Sequence, residues 1–263
     1  MTLFEYLTLL IFGLVSGSFL GMLTYRLPRS LHFGGRSYCD HCKRKLSWSE
    51  NLPLISYLVL KKCRCGKKIP SRYPLIEAAT AGFFVLTGFA YSANINSGFL
   101  DTLHSRLGPA TLPFLLLIVM VLMALAVIDI ERQILPDALV YILGLIFAVY
   151  FILFANNLLF SHLLWGYLSF LFFLTIYLVT KRRGMGFGDV KLSFVLGSFL
   201  GFEQSILWLF GAFTLGAVAG LILLAVRRAK LGLPIPFGPF LLVSFWLTVF
   251  YGEKIVGWYL KLL

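Results

Sequence analysis

The sequence contains few charged residues, and acidic ones are especially scarce. Only 13% of the 263 residues are Asp, Glu, Lys or Arg, and 11 acidic side chains stand against 23 basic ones. Hydrophobic residues make up 59% of the chain and include 26 phenylalanines. A water-soluble domain could not bury so much apolar surface. The composition therefore excludes a soluble enzyme and indicates a membrane protein.

Features typical of several other protein classes are missing. The first apolar segment begins "MTLFEYLTLL" without a basic leading region, and its basic flank "YRLPR" follows it, which is the reverse of a secretory signal and predicts a retained helix. No glycine-rich nucleotide motif is present, and no convincing internal repeat supports a transporter. In a membrane protein, the net charge of +12 indicates basic cytoplasmic loops and a lipid bilayer as partner, with no nucleic acid.

Eight apolar segments are long enough to span, or nearly span, a hydrocarbon core. They lie near 3–24, 75–93, 111–128, 137–156, 162–180, 190–202, 205–226 and 239–260. We therefore predict an all-α polytopic membrane protein with about eight transmembrane helices. The sixth segment is short, and its separation from the seventh depends on the weak signal "GFEQS".

The basic residues divide unevenly between the two sides that eight spans define. One side carries twenty Lys and Arg residues, twelve of them from Arg26 to Arg72, and the other carries only Arg106, Lys254 and Lys261. Because cytoplasmic loops are enriched in basic residues, the side with twenty is predicted to be cytoplasmic. Both termini are then expected outside.

The same topology places Asp129 and Asp189 at one face of the membrane, each at a helix end. Acids in such positions face protein, water or a partner and are functional candidates. The alternative is that they pair with Arg132 and Lys191 at the interface. Around Asp189, in "GMGFGD", glycines allow close approach of another chain. Two aspartates in a poorly hydrated site share a proton, which is the requirement of aspartyl proteolysis.

Several motifs follow one another along the chain, namely "GSFLGMLTYRLP" at 17–28, "LSWSENLPLISYL" at 46–58, "SRYPLIE" at 71–77, "DIERQILPD" at 129–137, "GFGDVKL" at 186–192 and "PFGPFL" at 236–241. Together and in this order they resemble the type IV prepilin peptidases, which are membrane aspartyl proteases with a GxGD motif. The resemblance covers most of the chain.

The resemblance implies that Asp129 and Asp189 are the catalytic pair, with no cofactor for the peptidase step. The implied reaction removes a short basic leader from type IV prepilins or pseudopilins at the cytoplasmic face of the bacterial inner membrane. It further implies methylation of the new amino terminus from S-adenosylmethionine, which rests on the resemblance alone. A noncatalytic assembly factor of a pilus or type II secretion system is the alternative.

Further residues are candidates for shaping the site or contacting substrate. They are Gly186, Gly188, Lys191, Glu77 and Pro136. Glu77 could orient the substrate amino group or pair with Arg72. Pro136, like Pro236 and Pro239, could shape a cleft or simply mark helix ends.

All four cysteines lie in the segment before the second span. Cys39 and Cys42 form "CDHC", and Cys63 and Cys65 form "CRCG". Disulfides are rare on the reducing side of a membrane, so two close cysteine pairs predict a structural zinc site in a small cytoplasmic insertion resembling a zinc ribbon. The second pair has one intervening residue where the family has two, so His41 or His32 could replace a ligand. Reduced free thiols are the alternative, and the segment's cations could also hold it against anionic lipid.

The predicted organisation has three parts. Residues 1–25 form the first transmembrane helix, 26–74 the basic cysteine-containing minidomain, and 75–263 the membrane peptidase domain.

Overall fold

The computed structural model describes residues 1–32, 71–94, 98–181, 185–226 and 236–261. Between 38 and 70 it describes only Tyr38, Cys42, Arg44, Lys45, Ser47, Leu54, Tyr57, Lys62, Cys63, Cys65, Gly66, Lys67 and Pro70. The described chain is all-helical, as the sequence predicts. The helices are α1 (Leu3–Arg26), α2 (Arg72–Asn94), α3 (Gly98–Leu107), α4 (Thr111–Arg132), α5 (Asp137–Phe154), α6 (Leu159–Val179), α7 (Phe187–Leu200), α8 (Phe202–Ala225) and α9 (Gly238–Leu260).

In the described part of the chain, seven helical segments are long and apolar enough to cross a membrane. They are α1, α2, the run Gly98–Arg132, α5, α6, α8 and α9. The sixth predicted span is α7, which has 14 residues and rises only about 21 Å, less than a hydrocarbon core of about 30 Å. Its separation from α8 is real, since the chain turns at Gly201 with φ 77.

The short helix α3 lies in an interval where the sequence analysis predicts no element. Its ten residues are amphipathic, with Leu100 and Leu103 buried and Asp101 exposed. It packs against α9. Ten residues are too few to register as a span, which is why this helix was missed.

The chain divides into two compact units, residues 1–93 with 112–127, and residues 94–111 with 128–263. In the first unit α1 and α2 pack antiparallel through Gly13, Gly17 and Gly21. A Cβ atom added to Gly13 would lie 2.5 Å from Ala81 Cα, and one added to Gly17 would lie 2.6 Å from Glu77 Cα. Small residues spaced by four permit this close backbone approach between membrane helices.

In the second unit, small and polar residues join the helices in pairs. Gly166 of α6 faces Ser198 of α7, and a Cβ added to Gly197 would lie 2.5 Å from Ser169 Oγ. Between α8 and α9 the bonds are reciprocal: Trp208 Nε1–H donates to Leu241 O (3.0 Å), and Ser244 Oγ–H donates to Trp208 O (2.7 Å). These bonds fix the first half of α9 against α8.

Candidate active site

Asp129 lies in the last turn of α4. The helix ends at Arg132, where Gln133 adopts a left-handed conformation (φ 55) and donates its N–H to Asp129 O at 2.8 Å. A short turn then leads through Pro136, whose carbonyl begins α5. The Asp129 side chain is only 6% exposed. A helix end thus carries a carboxylate into the interior of the second unit.

Asp189 is the third residue of α7. Gly186 precedes the helix in an extended conformation, and its N–H donates to Asp189 Oδ2 at 3.2 Å. The side chain is 7% exposed. Its other oxygen, Oδ1, is buried and has no hydrogen-bond partner among the described residues. A buried oxygen without a hydrogen-bond partner costs folding free energy. Because no described residue bonds to Asp189 Oδ1, this atom can carry a proton or bind a reacting group.

The two carboxylates interact electrostatically. Asp189 lies outside the seven candidate spans. Burial chiefly, and the charge of Asp129 second, raise the pKa of Asp189 to about 7, although the Gly186 N–H opposes this. The arrangement therefore favours one protonated and one ionised carboxyl group near neutral pH, the condition for aspartyl proteolysis.

The backbone of Gly238 contributes a group that the sequence analysis did not identify. Its N–H donates to Asp129 Oδ2 at 2.7 Å, and this contact is buried. The sequence analysis considered Pro239 as shaping a cleft or marking a helix end, and Pro239 does lie in the first turn of α9. That proline predicts a helix start. It does not predict that the start of this helix contacts an aspartate 109 residues away.

Contacts between the α4–α5 turn and α7 bring the two aspartates together. A Cβ atom added to Gly188 would lie 2.8 Å from Leu135 Cβ, so glycine is needed for this close packing. Lys191 Nζ lies 2.7 and 2.8 Å from the two carboxylate oxygens of Asp137. Lys191 thus pairs with Asp137, whereas the sequence analysis considered Asp189 as its partner.

Glu77 lies in the first unit, on α2. Its Oε2 accepts the Leu54 N–H at 2.8 Å, and the side chain is 7% exposed. Arg72, considered as its partner, donates to Gly21 O and Thr24 Oγ1 on α1. Glu77 therefore holds the turn at Leu54, and its role toward a substrate stays a prediction.

Three of the four cysteines converge in the first unit. The Sγ atoms of Cys42, Cys63 and Cys65 lie within 4.8 Å of one another, and Cys42 and Cys63 are 4.0 Å apart. Zinc bonds of about 2.3 Å place tetrahedral thiolate sulfurs about 3.8 Å apart. A tight turn closed by Gly66 N–H donating to Cys63 O at 2.8 Å brings the CxC pair into place. The cluster fits a metal ion, while Cys39 and His41 lie outside the described residues.

The chain is similar to known proteins along nearly its whole length. Residues 11–91 match the bacterial peptidase A24 N-terminal domain, and residues 114–221 match the type IV leader peptidase family. A prepilin leader peptidase/N-methyltransferase of Stutzerimonas stutzeri is 33% identical, over 96% of this chain and 92% of that protein. One of Pseudomonas aeruginosa is 34% identical over the same shares, and one of Dichelobacter nodosus is 34% identical over 93% and 91%. No solved structure is significantly similar.

The resemblance inferred from the sequence motifs is therefore confirmed across nearly the whole chain. Both domain models fall in the order that the motifs predict, one before and one after residue 100. The chain belongs to the type IV leader peptidase family.

Proposed function

We propose that this protein is a membrane aspartyl endopeptidase that removes the leader from type IV prepilins or pseudopilins, with Asp129 and Asp189 as the catalytic pair. The observation that carries the proposal is their arrangement in the second unit. Both are buried, they interact electrostatically, and Asp189 Oδ1 has no partner among the described residues. Family membership makes the noncatalytic assembly factor the less favoured alternative.

The pair supports hydrolysis of a peptide bond by acid–base catalysis. The ionised carboxylate takes a proton from water, which attacks the scissile carbonyl carbon, while the neutral carboxyl group donates its proton to the carbonyl oxygen. A prepilin presents this bond where its basic leader meets an apolar helix. Because a helix hides its carbonyls in hydrogen bonds, glycine near the cut lowers the cost of unwinding the segment.

Replacement of each aspartate tests the proposal. We expect Asp129→Asn and Asp189→Asn each to abolish prepilin cleavage in membranes while the protein is still made and inserted. The double variant should be little worse than either single one, because the pair acts as a unit. Asp101→Asn, at an exposed position on α3, is the matched control. Cleavage by both single variants would support the assembly-factor alternative.

The membrane helices and the family indicate an inner membrane protein. We propose that the aspartates face the cytoplasm and both termini the outside. This topology counts the short helix α7 as a crossing, because seven crossings would place the termini on opposite sides. In the second unit Asp129 lies at the end of α4, Asp189 lies at the start of α7, and Asp129 contacts the start of α9. In the sequence, eight Lys and Arg residues lie at these helix ends or in the segments that lead to α7 and α9, namely Arg132, Lys181, Arg182, Arg183, Lys191, Arg227, Arg228 and Lys230. This distribution is typical of a cytoplasmic face.

Methylation of the new amino terminus is the second proposed activity. It rests on the match to the N-terminal domain of the family and on the names of the relatives. The methyl donor proposed on that ground is S-adenosylmethionine. Transfer of a labelled methyl group to cleaved pilin by the purified protein tests it. We expect Asp189→Asn to methylate a pre-cleaved pilin and not the precursor.

For the cysteine cluster we propose structural zinc, with Cys42, Cys63 and Cys65 as three ligands and Cys39 as the fourth. Three convergent thiols support this. The cluster would stabilise the 26–74 segment as a minidomain, separate from the helix at 1–25 and from the peptidase domain at 75–263.

A further inference from the structure

The first turn of α9 donates a hydrogen bond to one aspartate of the proposed catalytic pair, Asp129. Gly238 is the first residue of this 23-residue helix, and its N–H lies 2.7 Å from Asp129 Oδ2. Pro239 has no N–H, and Phe240 donates its own to Phe237 O at 3.0 Å. The positive end of the helix dipole is therefore directed at Asp129 by a single short bond.

The surroundings of Asp189 differ in kind. Its Oδ2 accepts a longer bond of 3.2 Å from Gly186, and Oδ1 is buried without a partner among the described residues. A backbone N–H at a helix N-terminus stabilises a negative charge, whereas burial without a donor disfavours one. The two carboxyl groups are thus unequal before any substrate binds.

We propose that the N-terminus of α9 is a third component of the catalytic centre: Gly238 N–H holds Asp129 in its ionised form, and the proton of the pair resides on Asp189. Gly238 is a positioning residue, and Asp129 is the general base. This inference rests on the proposed peptidase function. It states which aspartate acts as the base and which as the acid, which the two aspartates by themselves do not show.

The proposal fixes the path of the protons. Asp129 takes a proton from water as the water oxygen bonds to the carbonyl carbon, and Asp189 gives its proton to the carbonyl oxygen. In the second step Asp129 returns its proton to the amide nitrogen and the C–N bond breaks. Asp189 recovers a proton from a hydroxyl of the intermediate as the new carboxyl group forms. One water is consumed, and the pair regains its starting state.

Gly238 must lack a side chain for this arrangement. A Cβ atom added there would lie 2.8 Å from Asp129 Oδ2 and 3.2 Å from Asp129 Cβ. Alanine would keep the N–H but push the carboxylate away from it. Among the described residues of α4, α5 and α7, the other ionisable side chains at this end are the exposed Glu131 and Arg132 on α4, Lys191 on α7, and Asp137 on α5, the last two paired with each other.

Infrared difference spectroscopy tests the location of the proton without depending on cleavage. The full-length protein in detergent, at neutral pH or slightly below, should show the carbonyl stretch of a neutral carboxyl group. We expect Asp189→Asn to lose this band and Asp129→Asn to retain it. Loss in Asp129→Asn with retention in Asp189→Asn, or retention in both, would overturn the assignment. The cleavage assay on wild-type protein separately decides whether the protein is a peptidase.

The pH profile of kcat/KM for prepilin cleavage tests the part played by α9. In Gly238→Ala the acidic limb should move to higher pH by about one to two units, because a hydrogen bond to a charged group is lost. The alkaline limb should stay in place. Gly252→Ala is the matched control on α9, since its added Cβ would meet atoms only at 3.5 Å or beyond, and it should match the wild type.

A lower rate in Gly238→Ala with both limbs unmoved would show that Gly238 has only a packing role, and this would overturn the α9 proposal. Thermal melting in detergent establishes whether the variant is folded. If it is not, the infrared comparison of the two aspartate variants decides the assignment, because neither of them alters α9.

Discussion

Lys191, the fifth residue of α7, and Asp137, the first residue of α5, form a two-point ion pair, with Nζ 2.7 and 2.8 Å from the two carboxylate oxygens. The pair ties the helix that carries Asp189 to the turn that follows Asp129. It is partly solvated, since the side chains are 29% and 50% exposed. An exposed pair of this kind contributes about 0.2–1 kcal/mol, so it adjusts the position of α7 and does not determine the fold.

Breaking this ion pair should therefore have a small effect on cleavage. We expect Asp137→Asn or Lys191→Met to lower kcat/KM by no more than about fivefold, with a larger effect at low salt than at high salt. The charge-exchanged double variant, Asp137→Lys with Lys191→Asp, should recover part of the loss. A loss of several hundredfold in Lys191→Met would instead indicate direct contact with the substrate.

The sequence singled out Asp129 and Asp189, which the structure buries in the second unit, but it did not predict their surroundings. Asp129 and Asp189 could be selected because an acid at a membrane helix end is costly and stands out in an apolar chain. Asp137 and Leu135 could not, because their roles depend on which turn packs against α7. The hydrogen bond from Gly238 was also out of reach, because a backbone donor leaves no side-chain signal.

Close packing at Gly188 should be as important as the charges nearby. An added Cβ would lie 2.8 Å from Leu135 Cβ, so Gly188→Ala must shift the first turn of α7 and the aspartate beside it. We expect cleavage to fall on the order of tenfold or more, because displacement of a catalytic group by about 1 Å is that costly.

A second substitution makes the cause of that loss testable. Leu135→Gly in the Gly188→Ala background removes the atoms in conflict, including the Leu135 Cβ at 2.8 Å, and should restore part of the activity. Gly144→Ala is the control, since its Cβ would meet Val195 at an ordinary 3.6 Å. Equal activity in the single and double variants would show that the loss does not come from this contact.

The helices themselves followed from apolar run length, and the exceptions have physical causes. The short helix α7 has ten buried residues of fourteen, so it is apolar because protein surrounds it, and its sequence resembles a span without the length of one. The break at Gly201 was marked only by "GFEQS" because a glycine with φ 77 turns the chain in one residue. The helix α3 was not predicted because it has only ten residues and only two buried leucines, Leu100 and Leu103.

Asp189 should lower the folding stability of the protein at neutral pH, because its carboxyl group is buried. Its pKa in the folded protein, about 7, is above the usual value of 3.8. The folded state therefore holds this proton more tightly than the unfolded state does, and its contribution to stability is lost as pH rises from about 4 to 7. Asp189→Asn does not titrate, so its Tm should exceed that of the wild type at pH 7.5 by more than at pH 5.

Differential scanning calorimetry in detergent at the two pH values checks this expectation. Asp101→Asn, at an exposed position, controls for the loss of one carboxylate and should show no such pH-dependent difference. An Asp189→Asn variant that is less stable than the wild type at pH 7.5, and by more than at pH 5, would contradict this expectation, because the ionised carboxylate would then be stabilised in the folded protein.

Removal of metal should affect the cysteine minidomain before it affects the peptidase centre, because the three convergent thiols belong to the first unit and both aspartates to the second. We expect the purified protein to contain about one zinc per chain, and Cys63→Ser to contain far less. Chelation should expose the 38–67 segment to protease, since a small polar minidomain without its metal loses its main source of stability. Ser47→Ala, within the same segment but not a thiol, should retain the metal.

Unchanged protease protection in the metal-free protein would contradict a structural role for zinc. Simultaneous loss of prepilin cleavage would show that the minidomain takes part in holding the substrate.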